Sequence, residues 1–150
     1  MRRIYLDQLL ELMDRYRSEA ERCLHSGCYI AGLVCVRAVL EAVLTARYTL
    51  ELFDWTEEEL SEYDFGVDHE QLRIDGPAMP HLKDLIDQAY KDRLITKVGR
   101  DAAHRIREWG NRIHPVTLTV RPEPPKIGRR NLQARLRDLD LVLHQLERTL

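Results

Sequence analysis

The sequence predicts an all-α protein, a helical bundle of about five main helices forming one domain over residues 1–150. Three observations lead there. Apolar residues recur at three- and four-residue spacing through most of the chain, the period of an amphipathic helix. Only seven glycines and six prolines interrupt 150 residues, and four of the prolines crowd into residues 115–128. A composition of 44% hydrophobic and 32% charged residues in 17.7 kDa suits a soluble globular chain with a single core.

The first helix is expected over residues 5–25, with Leu6, Leu9, Leu10, Leu12, Met13, Tyr16, Ala20 and Leu24 at helical spacing and Gly27 as its stop. The second, residues 28–52, is apolar on nearly every side, which predicts a central, buried helix. Residues 53–80 change character: nine acids stand against Arg73 alone, a net charge of −8. There Thr56 reads as an N-cap followed by Glu57, Glu58 and Glu59, so a short helix is expected inside an otherwise loop-like acidic insertion. A third main helix covers residues 81–94 with Leu82, Leu85, Ile86 and Ala89 inward, and a fourth covers 96–114, stopped by Pro115. After the proline-rich connector, residues 115–128, the last helix runs over 131–150 on Leu132, Leu136, Leu139, Val142, Leu143 and Leu146.

The N-terminus enters mixed polar sequence with no apolar signal core, and the longest apolar run, residues 28–36, is short of the ~20 residues that span a bilayer. A cytoplasmic protein without a membrane partner is expected. Cys23, Cys28 and Cys35 fit no zinc or iron–sulfur spacing and are odd in number; they are read as reduced core thiols, with no metal and no cofactor implied.

Chemistry concentrates on the fourth helix. At ~100° per residue, Arg100, His104, Arg107, Asn111 and His114 share a strip about 80° wide. Val98, Ala102, Ile106, Trp109, Gly110 and Ile113 form a separate apolar face, which makes Trp109 core. Asp101, Arg105, Glu108 and Arg112 make a mixed-charge sector expected to face water. The strip itself holds two arginines, two histidines and an amide, and no acid. Arginine grips phosphoryl oxygens in a bidentate manner and histidine moves protons near neutral pH, so the composition suits a phosphate. On angles alone, a solvated or subunit-facing surface is the other reading. In the second helix, Arg37 and Glu41 stand four apart, either as a structural clamp or as support for the strip.

The run Arg107-Glu108-Trp109-Gly110-Asn111-Arg112-Ile113-His114 resembles the arginine, four-to-six residues, histidine signature of the HEPN superfamily. Gly27-Cys28-Tyr29-Ile30-Ala31 and Arg37-Ala38-Val39-Leu40-Glu41 are similar to the second helix of one branch. That branch comprises small bacterial domains of unknown function, alone or attached to restriction-type proteins. The likeness covers roughly residues 5 to 114.

The resemblance implies a HEPN-like bundle that forms a homodimer, with both signatures at one interfacial cleft. Active members are metal-independent endoribonucleases, some in toxin–antitoxin or phage-defence settings, so RNA and an antitoxin or restriction/defence protein are the implied partners. On this chain Arg107 would hold the scissile phosphate and His114 would act as general base or acid. Asn111 would orient substrate or His114, and Arg37 and Glu41 would support them. His104 and Arg100 join the site from the angular reading, not from the family pattern. Where many toxin members carry a tyrosine two residues past the histidine, this chain has Val116. The alternative is a non-catalytic module of the same fold that binds nucleotide, nucleic acid or a protein partner.

Charge asymmetry fits a polyanion. Residues 97–114 carry five Lys or Arg against two acids, a net +3, and residues 121–137 carry six against one, a net +5. Arg129 and Arg130 read first as a solvated helix start; as cations at a helix N-terminus they run mildly against the dipole, which adds a little weight to an anionic partner.

Overall fold

The computed structural model describes residues 2–113 and 126–149. Among these, the chain is mostly helical, with six helices and one small sheet. Strand β1 (Arg2–Tyr5) leads directly into α1 (Leu6–Ser26), followed by α2 (Tyr29–Leu52), α3 (Glu57–Glu62), β2 (Gly66–Asp68), β3 (Arg73–Gly76), α4 (Leu82–Lys91), α5 (Lys97–Arg112) and α6 (Arg129–Glu147). The all-α expectation holds. Residues 114–125, which include most of the expected connector and His114, lie outside the described residues.

Helix α1 stops at Gly27, whose φ of +79° is left-handed and inexpensive only without a Cβ, while its N–H caps the carbonyl of Cys23. The reversal lays α2 back along α1. Helix α2 is the axle of the fold, packed by α1, α4, α5 and α6. Leu33, Val36, Val39, Leu40 and Leu44 are sealed in the main core with Ile86, Ile106, Leu132, Leu139 and Val142. By length and composition alone α2 could cross a bilayer, but these residues are buried by protein.

The expectation that α2 is covered on every side needs correction. Ile30 and Val34 are 56% and 54% exposed, and Ala31 and Glu41 are also open to solvent. Cys28, expected in the core, sits exposed before the first turn of α2, whereas Cys23 and Cys35 are buried as expected. Burial holds both of those thiols in their neutral form by raising their pKa.

The acidic segment is more ordered than its sequence suggested. Thr56 caps α3 in a reciprocal box: its Oγ1 accepts from the Glu59 N–H at 3.2 Å, and the Glu59 carboxylate accepts from the Thr56 N–H at 2.8 Å. Beyond it, β2 and β3 pair antiparallel, and β1 adds to the other edge of β3 in the order β1-β3-β2. Asp75 on β3 accepts from Arg3 Nε at 2.8 Å and Arg73 Nε at 3.0 Å, so cations offset part of this segment's negative charge. Ile74, Leu52 and Leu60 make a second apolar cluster, with Phe53, Trp55, Phe65 and Val67 around it.

Helix α4 is short and strongly two-sided, burying Leu82, Leu85, Ile86 and Ala89. Thr96 caps α5 by accepting from the Gly99 N–H. Helix α6 buries Leu132, Leu136, Leu139, Val142 and Leu146 against α2 and α5.

Candidate functional site

Helix α5 sits between α2, α4 and α6, and its two flanks do different work. Gly99, Ala102, Ala103, Ile106 and Gly110 form its buried face, and the two glycines let Gln145 of α6 and Arg37 of α2 lie directly against the α5 backbone. Val98, expected on the apolar face, is 61% exposed, because it lies one step beyond the edge of that face at the helix start. The mixed-charge sector is not merely solvated. Arg105 grips Asp138 of α6 with two hydrogen bonds, Nε at 3.2 Å and Nη2 at 2.8 Å, and that contact raises the arginine's pKa. Arg112 and Arg135 both lie over the half-buried Trp109 ring, at 4.8 Å and 5.6 Å.

Arg100, His104, Arg107 and Asn111, the strip singled out by angle, are all half-buried along the opposite flank. Arg100, His104 and Arg107 line one open depression of about 510 Å³ between α4 and α5. Three contacts organise it. Asp87 on α4 lies with Oδ1 2.8 Å from His104 Nε2. Arg107 Nε donates to His104 Nδ1 at 3.2 Å. The Arg100 guanidinium lies 4.8 Å from the centre of the Tyr90 ring, and its buried Nε has no hydrogen-bond partner among the described residues.

Asp87 corrects the view that no acid answers these cations. The sequence strip has none because the acid comes from the neighbouring helix. The hydrogen bond from His104 is the main cause holding the Asp87 carboxyl below the usual aspartate range, and Arg100 and Lys83 add to it. Lys83, Asp87 and Tyr90, at four- and three-residue spacing, form a flank of α4 beside its apolar face. That spacing was the available signal for Asp87.

Arg37 reaches the same region from α2. Its Nη1 donates to Asn111 Oδ1 at 2.8 Å, so the Arg37 clamp forms across two helices and not with Glu41 four residues on. Glu41 is exposed and faces a different groove, beside Arg2, Tyr16 and Pro80. The structure therefore gathers Arg100, His104 and Arg107 in one depression, sets Arg37 and Asn111 along the same flank of α5, and leaves Glu41 apart. His114 lies outside the described residues.

Chemically, the depression can hold an anion at Arg107, with Arg100 and Lys83 nearby, while Asp87, Asp101 and Glu108 moderate the field. Among the described residues no group of three or more His, Cys, Asp or Glu could hold a metal ion. Set against family models, curated proteins and solved structures, the chain matches none.

Proposed function

We propose that this chain is a metal-independent endoribonuclease of the HEPN type, acting as a homodimer. The observation that carries the reading is the disposition of Arg107. Its Nε is committed to His104, and among the described residues its terminal nitrogens reach only Glu108, at 3.9 Å, from the wall of a half-open depression. A guanidinium tethered at one nitrogen is arranged to donate its terminal N–H groups to two phosphoryl oxygens.

In this reading Arg107 binds the scissile phosphate and stabilises the charge that accumulates on it in the transition state. His114 takes the proton of the ribose 2′-hydroxyl as that oxygen attacks phosphorus. The new bond joins phosphorus to the 2′-oxygen and the bond to the 5′-oxygen breaks. A proton from solvent completes a 5′-hydroxyl on the leaving oxygen while the one taken by His114 returns to solvent, and the other product ends in a 2′,3′-cyclic phosphate. Asn111, fixed by Arg37, holds the strand of substrate that crosses α5.

A second reading, a module that binds a phosphate-bearing ligand without turnover, is favoured by one feature. His104, the histidine in the depression, is occupied on both ring nitrogens, by Asp87 and by Arg107. Incubating the pure protein with total RNA and a chelator separates the two. The ribonuclease reading expects cleavage by the wild type and none by His114→Ala or Arg107→Ala. Binding of RNA with no cleavage product would support the second.

A further inference from the structure

We infer that Asp87 and His104 are positioning residues that aim Arg107, with α4 supplying the outermost link. The inference rests on the functional reading above only for its catalytic consequence.

The chain of contacts runs Asp87 Oδ1, His104 Nε2, His104 Nδ1, Arg107 Nε, with separations of 2.8 Å and 3.2 Å at its two hydrogen bonds. Arginine stays protonated and has donors only. The nitrogen that meets Arg107 Nε–H must therefore offer a lone pair, so Nδ1 carries no proton. A neutral imidazole then carries its proton on Nε2, and that N–H points at the Asp87 carboxylate. Each link fixes the next. The carboxylate selects the tautomer, the tautomer makes Nδ1 an acceptor, and the acceptor fixes the plane of the Arg107 fork.

The surrounding charges are compatible with this order. Lys83 and Asp87 face the depression from α4, and Arg100, Asp101, Arg105, Arg107 and Glu108 face it from α5. Of the three acids, Asp87 is the one that bonds His104. Arg100 is engaged with Tyr90, and Glu108 lies 3.9 Å from Arg107 Nη2. Holding a side chain with several rotatable bonds in one orientation before substrate arrives removes an ordering cost from the bound state. It also couples the packing of α4 on α5 to the direction in which Arg107 points.

The test is nitrogen-15 NMR of the full chain, with the His104 signals identified by their loss in His104→Gln. At neutral pH the wild type should show Nε2 protonated and Nδ1 unprotonated. Asp87→Ala should mix the two tautomers, whereas Asp87→Asn, which keeps a carbonyl acceptor for Nε2–H, should preserve the wild-type form. In RNA cleavage, Asp87→Ala should lower kcat about 10- to 100-fold with little change in KM, and Asp87→Asn should restore most of it. If the wild type cleaves no RNA but shows the expected tautomer and its loss in Asp87→Ala, the ribonuclease reading fails and the relay stands. A protonated Nδ1 in the wild type, or a tautomer indifferent to Asp87→Ala, overturns the relay whatever the activity.

Discussion

Arg37 crosses α5 directly over Gly110: a Cβ built on that glycine would sit 2.5 Å from Arg37 Cδ. The same guanidinium bonds Asn111, so the Gly110-Asn111 step is where α2 and α5 are clasped. Gly110→Ala must displace Arg37 and stretch that bond. Overpacking costs about 1–3 kcal/mol, and replacing glycine inside a helix returns about 1 kcal/mol. The expected result is a net loss of about 1 kcal/mol in urea unfolding. In an Arg37→Ala background the obstruction is gone, so Gly110→Ala should become stabilising. An effect of the same sign and size in both backgrounds would show that the crossing is not the constraint.

Asp87 gives a pH dependence with a definite sign. Its native pKa is depressed by His104, so the unfolded chain takes up this proton first as pH falls. Its contribution to stability is therefore complete above the ordinary aspartate value of about 3.9 and disappears as pH drops through the lower native value. The difference in urea midpoint between wild type and Asp87→Asn should shrink toward zero as pH falls through the aspartate range. A difference that grows on acidification contradicts the assignment. Asp75, also depressed by Arg3 and Arg73, is unchanged in both proteins and cancels in this comparison.

Much of this architecture was legible in the sequence, and the omissions share a cause. Helices α1, α4, α5 and α6 announce themselves because burial on one face writes a 3.6-residue period into many consecutive positions, and α2 because it is a long, mostly apolar stretch without a proline. The sheet left no such trace: its strands are three or four residues long, and β1 pairs Arg3 with Asp75 across 72 positions. The angular reading of α5 isolated the half-buried strip of Arg100, His104, Arg107 and Asn111, since solvent exposure and helix contact both follow angle. It could not find Asp87 or the Arg37–Asn111 clasp, which depend on which helix lies alongside. For the same reason it paired Arg37 with Glu41 by spacing, when α5 lies nearer the guanidinium, and assigned Arg105 to water when Asp138 of α6 was within reach.

Asp138 ties α6 to α5 through Arg105, at the edge of the depression. Its side chain is 12% exposed, and it receives two hydrogen bonds from Arg105 while Arg135 lies within ion-pair distance. Hydrogen bonds to a charged group contribute about 1.5–3 kcal/mol when one partner is removed. Asp138→Ala should therefore destabilise by roughly 2 kcal/mol, read from urea unfolding. It should also disturb the stack of Arg135 on Trp109, visible as a change in tryptophan fluorescence of the folded state, with Trp55 unaffected. Activity should fall much less than for substitutions in the depression. A loss of RNA cleavage equal to that of Arg107→Ala, in a protein that remains folded, would move the functional centre to the α6 side.

Arg107→Lys separates charge from geometry. Lysine keeps the positive charge, but it has no donor at the Nε position to meet His104 Nδ1 and no planar fork to span two phosphoryl oxygens. If charge alone mattered, the lysine variant would retain most RNA cleavage. The contact to His104 makes the opposite expectation: the variant should lose cleavage by about 10²-fold or more, close to Arg107→Ala, because removing one aligned donor to a developing anion has that effect. RNA affinity should differ, since a lysine still attracts the backbone and Arg107→Ala removes one cationic contact. The alanine variant should therefore have the shallower salt dependence of binding, and the lysine variant should match the wild type. Cleavage by Arg107→Lys at the wild-type rate would mean that the His104 contact holds the side chain for packing and not for phosphate recognition.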